Sequence, residues 1–134
     1  MSKAFTLIEV LILIGILSIL FLFLPPALNT LKSSISLNDT TQQIVADLRL
    51  AQQRSLASGE TYQIAFEDTA YTISGRVEAV KKLPEGLKFE NNKIIRFSKS
   101  GFPEVGKIGT IVLKDRYEKT KKVIISSVGR VRVE

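Results

Sequence analysis

The chain has 134 residues, with 19 Lys and Arg against 13 Asp and Glu, a formal net charge of +6, and neither Cys nor His. That length allows one small domain and a terminal segment. The missing Cys and His remove disulfides, thiol nucleophiles, imidazole bases and the commonest metal ligands, so neither enzymatic activity nor a cofactor is expected.

Charge is unevenly spread. Residues 1–75 hold 4 basic and 6 acidic groups, net −2; residues 76–134 hold 15 and 7, net +8. A basic second half suits a polyanionic partner such as nucleic acid. The plainer reading is that lysines keep an exposed sheet soluble and blunt its edges.

The chain opens with Met1-Ser2-Lys3-Ala4 and then runs apolar over 5–24, where only Thr6, Glu9 and Ser18 are polar. Twenty residues of helix reach roughly 30 Å, the thickness of a hydrocarbon core, which predicts a membrane-spanning segment. Lys3 would keep the short N-terminus in the cytoplasm while the remainder crosses. A carboxylate inside such a segment is costly and is usually paired. If the chain is cut after Ala4, the new amine of Phe5 on a neighbouring copy could neutralise Glu9. Otherwise Glu9 lies near the cytoplasmic end and reaches the headgroups alone. A secretory signal peptide fits poorly: the apolar run meets Pro25-Pro26 with no small-residue cleavage pattern.

Pro25 and Pro26 predict a kink or loosening of the helix. Beyond them Leu37, Ile44, Leu48, Ala51 and Leu56 fall close to one stripe, with Asp47, Arg49, Gln53 and Arg54 elsewhere. Gly59 supplies a stop. One long helix over 5–58 follows. The period then changes to two. Strands are predicted at 61–66 and 70–74 as a hairpin, then at 76–80, 87–89 and 93–97. A second hairpin joins 111–113 to 122–126, and a short strand lies within 128–133. One helix followed by many strands indicates an α+β fold. About 75 residues of sheet have a thin core, so the helix stripe must supply its other half.

The segment Lys3-Ala4-Phe5-Thr6-Leu7-Ile8-Glu9-Val10 resembles the leader and cleavage site of type IV prepilins and type II secretion pseudopilins. The resemblance implies removal of residues 1–4 by a prepilin peptidase, cleavage between Ala4 and Phe5, N-methylation of Phe5, and a docking role for Glu9 in a helical filament. The family usually has Gly where this chain has Ala4. Asp47-Leu48-Arg49-Leu50-Ala51-Gln52-Gln53-Arg54-Ser55-Leu56-Ala57 is similar to the helix of the GspH/FimT branch of minor pilins. The end, Gly129-Arg130-Val131-Arg132-Val133, is similar to the Gly-Arg-x-Arg close of that branch.

What the resemblance implies is a pilin fold: a leader at 1–4, a transmembrane and filament-core helix at 5–26, an amphipathic half at 27–59 and a β-sheet domain at 60–134. Its partners would be other pilin or pseudopilin subunits, the prepilin peptidase, the bacterial inner membrane and a secreted cargo. The chain would be a single-pass protein with its C-terminal domain periplasmic or extracellular, placed near a filament tip and serving assembly and protein secretion. Some FimT-like members bind DNA during natural transformation. Here the matching residues are Arg130 and Arg132, with Lys119, Lys121 and Lys122 as neighbours. In an extended strand Arg130 and Arg132 share a side about 6–7 Å apart, which suits successive phosphates. Glu134 opposes such a role, and no aromatic residue is interleaved to stack on bases. A third reading is an anchored single-pass binding protein that never polymerises.

Three further patterns carry little. Gly101-Phe102-Pro103-Glu104-Val105-Gly106-Lys107 matches most of a P-loop, but Ile108 replaces the magnesium-binding hydroxyl and a strand is expected to follow. Asn38-Asp39-Thr40 is a formal glycosylation sequon of a kind that arises by chance. Ser126-Ser127 near Lys121 and Lys122 lacks an ordered base or oxyanion element.

Overall fold

The computed structural model describes residues 6–104, 106 and 109–134, and of residues 23–27 the helical backbone only. The fold is α+β. Helix α1 (Leu7–Ser58) is followed by β1 (Tyr62–Phe66), β2 (Ala70–Ser74), β3 (Ala79–Lys82), β4 (Leu87–Phe89), β5 (Lys93–Phe97), β6 (Gly109–Asp115), β7 (Thr120–Ile125) and β8 (Val131–Val133). The expected third strand, at 76–80, begins instead at Ala79. Two compact units divide the chain, 1–32 and 33–134. The second half of the helix therefore belongs with the strands.

Among the described residues the strands form two antiparallel sheets, ordered β3-β2-β1-β5 and β4-β6-β7-β8. Alternation makes one face of each apolar. Ile73, Ile64 and Ile95 lie in one cross-strand row of the first sheet. Ile111 pairs with Val123 in the second. All five are buried in one cluster with Leu37, Ile44, Val45, Leu48 and Ala51 of the helix. Phe66, Tyr71 and Phe89 pack at its end with centroids 5.2–6.3 Å apart.

The helix buries positions 37, 40, 41, 44, 45, 47, 48, 51 and 55, steps of three and four that keep one face inward. Two residues depart from the expected stripe. Leu56 is 57% exposed; five positions beyond Ala51 it has turned about 140° away, and Ser55 takes the inward place. Asp47, expected outside, is buried. Its Oδ2 accepts the Tyr71 hydroxyl at 2.6 Å, and the Lys81 ammonium donates to both oxygens at 2.8 Å. The helix ends as expected: Gly59 takes φ 64° and its amide donates to the Ser55 carbonyl at 3.0 Å.

The expectation of a membrane-spanning segment is overturned. Among the described residues, no helix is long and apolar enough to cross a membrane. The single-pass inner-membrane placement does not stand, nor does the reading as an anchored single-pass binder. α1 continues as helix across Pro25 and Pro26, whose side chains lie outside the described residues.

Leu48 is 0% exposed. Leu48→Asp would bury an unpaired charge, a cost comparable with the roughly 5–15 kcal/mol stability of a whole small domain. The fragment 33–134 carrying it is expected to lose its cooperative thermal transition; an intact transition would refute the helix–sheet packing. A second expectation concerns alkali. Burial first, then the Asp47 hydrogen bond and charge, raise the Tyr71 pKa above that of an ordinary phenol. The unfolded chain ionises Tyr71 near pH 10, so its contribution is complete below that pH and lost as pH rises beyond it. Tyr71→Phe is expected to cost about 1–2 kcal/mol at neutral pH and to flatten the alkaline fall measured by urea denaturation.

Candidate functional site

The residues 7–22 of α1 expose apolar side chains at successive positions, hence on every side of the helix. Leu7 is 82% exposed, Phe21 65% and Leu22 77%. Single exposed leucines are ordinary; a continuous apolar surface marks an interaction site. Ser18 satisfies its hydroxyl internally, donating to the Ile14 carbonyl at 2.8 Å. Glu9 is exposed, and its carboxylate makes no hydrogen bond or ion pair among the described residues.

Glu9 also has a local role that the sequence reading missed. The Thr6 carbonyl accepts the amides of Glu9 at 3.1 Å and Val10 at 3.3 Å. The Thr6 hydroxyl lies 3.4 Å from the Glu9 amide. Thr6-Leu7-Ile8-Glu9 has the Thr-x-x-Glu capping-box spacing, of which the Thr6 half forms while the Glu9 carboxylate makes no return bond among the described residues. A carboxylate in the first turn also meets the positive end of the helix dipole. The cleavage and methylation positions, Ala4 and Phe5, lie outside the described residues.

The second candidate is the outward face of the second sheet. Pairing sets Ile124 opposite Arg132, and Lys122 exchanges two main-chain hydrogen bonds with Glu134. Lys122 and Arg132 are thus diagonal neighbours on one face, roughly 7–8 Å apart. Lys88 and Lys114, directly paired, extend that face across β4 and β6. Lys114 forms an ion pair with Glu118, and the Glu118 hydrogen bond raises its pKa. Lys121 does not join them: it shares the parity of buried Val123, on the opposite face. Lys119 sits in the β6–β7 turn. There its amide donates to Asp115 Oδ1 at 2.9 Å, beside the amide of Tyr117 at 2.8 Å, while the Ser33 hydroxyl donates to Oδ2 at 3.0 Å. Burial pushes the Asp115 carboxyl up, but these donors outweigh it and hold it below its ordinary value.

The Gly-Arg-x-Arg segment has a backbone reason. The Gly129 amide donates to the Ser126 carbonyl at 2.9 Å, closing the turn into β8. Gly129 takes φ +79°, and a Cβ there would lie 2.3 Å from Gln52 Nε2. Gln52 itself donates to the Gly101 carbonyl at 2.9 Å, so the helix holds the Gly101 loop. Arg130 and Arg132 leave this turn exposed and line a groove of about 340 Å³ with Ile124, Ser126 and Val128.

The discounted patterns stay so. Strand β6, not a helix, follows the P-loop-like segment, whose Val105 and Lys107 lie outside the described residues. Asn38-Asp39-Thr40 lies within α1 with Thr40 buried. Ser126 Oγ accepts the Arg130 amide at 3.1 Å, a turn contact. Among the described residues no cluster could hold a metal ion.

No family model, curated protein or solved structure matches the chain.

Proposed function

We propose that the chain is a structural subunit, a minor pilin or pseudopilin of the GspH/FimT kind, that serves filament assembly and protein secretion. Its 7–22 segment packs among like segments of neighbouring copies. The observation that carries this reading is the apolar surface around that segment, interrupted by the single charge of Glu9. Such a surface needs covering, and a copy offering the same surface covers it. Prepilin peptidase cuts between Ala4 and Phe5, and the freed amine of one copy neutralises Glu9 of the next. An ion pair buried this way adds little net affinity over an apolar contact but fixes register. The role is one of assembly, without catalysis.

The chain has no Cys, so one introduced by Ile8→Cys reports contact between copies. Oxidative cross-linking of the processed protein is expected to give a ladder of oligomers, reduced severalfold by adding Glu9→Ala. Equal ladders with and without Glu9 would remove the charge pairing. Mass spectrometry is expected to show loss of Met1–Ala4 and a methylated Phe5.

A second reading, a DNA-binding minor pilin for uptake, is favoured by the shared outward face of Lys122 and Arg132, with Arg130 at its border. Phosphate contacts there give affinity without sequence choice. Salt-dependent retardation of plasmid, lost in the Arg130→Ala, Arg132→Ala variant, is its expected signature; unchanged retardation would assign binding elsewhere.

A further inference from the structure

A cleft of about 610 Å³ opens where the last turn of α1 meets the start of β1 and the loop between β2 and β3. Its walls are Ala57, Tyr62 and Val77, and Arg54, Arg76 and Ser58 complete the lining. Val77 is 74% exposed and adds apolar surface to the rim. Neither guanidinium forms an ion pair or hydrogen bond among the described residues. Glu60 and Glu78 stand next along the chain, yet neither pairs with Arg54 or Arg76.

Tyr62 is the second observation. Its ring is buried, the residue being only 5% exposed, while its hydroxyl has no protein partner and stays open to solvent, since no buried side-chain oxygen among the described residues lacks a partner. Its ring is held against Gly75, where a Cβ would fall 2.3 Å away. A hydroxyl left to water at the end of a buried ring is held in place and free to bond a ligand. Two free guanidiniums and a free phenol around an apolar wall present donors and no competing acceptor apart from Ser58.

We propose that this cleft binds an acidic, aliphatic segment of a partner polypeptide, one carboxylate spanning Arg54 and Arg76 and an adjacent apolar side chain lying on Ala57 and Val77. Arginine takes carboxylate in a two-bonded fork, and the Tyr62 hydroxyl can donate to the same oxygens. Nucleic acid fits less well. It needs a row of cations for successive phosphates and an open ring for stacking, whereas here there are two cations and the Tyr62 ring is covered. The inference does not depend on filament assembly, because no residue of 7–22 takes part.

The test uses the full chain in detergent micelles and a fluorescein-labelled hexapeptide alternating leucine and glutamate, read by fluorescence anisotropy. The glutamate peptide is expected to bind and its glutamine counterpart to bind far less. The Arg54→Gln, Arg76→Gln variant, altered only at exposed positions, should weaken binding about tenfold, and Tyr62→Phe about threefold. Each variant's thermal transition is checked against the parent. Equal binding of the two peptides, an unchanged affinity in the double variant, or displacement by a single-stranded oligonucleotide of equal charge would each overturn the proposal.

Discussion

One face of α1, from Leu37 to Ser55, is buried against two sheets, and the folded unit 33–134 depends on that burial. Four short strands expose one apolar face each time they form a sheet, and neither sheet here closes on itself. Truncating a buried leucine such as Leu48 would forfeit about 2–5 kcal/mol, a large part of what a domain of this size retains after its chain entropy is subtracted. The helix is therefore half of the core.

Apolar burial is not selective about register, and the polar residues on the same face supply selection. Thr41 and Ser55 return their hydroxyls to helix carbonyls at 2.7 Å. Asp47 instead reaches across to Tyr71 on β2 and Lys81 on β3. Sliding the helix by one turn would strand that carboxylate in an apolar layer, so the network ties helix position to strand position. At the other side Gln52 holds the loop at Gly101. The turn at Gly129, held by Ser126, sets where Arg130 and Arg132 emerge. Their outward placement is thus a consequence of that turn.

The same helix carries two kinds of surface. Over 7–22 apolar side chains surround it, interrupted by Glu9 in a capped first turn. In its last turn Arg54 opens onto a small cleft with Arg76 and an unpartnered Tyr62. A continuous apolar surface favours extensive contact with its own kind. A concave site with fixed donors favours a particular acidic partner. These demands are chemically separate, and 52 residues of helix can meet both.

Local chemistry was readable from residue order. Alternation placed most strands, Gly59 ended the helix, and the three-and-four spacing of Leu37, Ile44, Leu48 and Ala51 identified its buried face, because each depends on near neighbours in the chain. What depended on distant residues was not. Nothing near Asp47 announces that Tyr71 and Lys81, 24 and 34 positions on, will make its burial tolerable. Neither does local pattern reveal that β5 pairs with β1, or that Arg54, Tyr62 and Arg76 converge on one cleft. Sequence by itself determined which segments are helix or strand and which sides are apolar, since those preferences are set within a few residues. Only the tertiary structure decided which polar groups find partners and which are left open, because a hydrogen bond or ion pair is satisfied in space, whatever the distance along the chain.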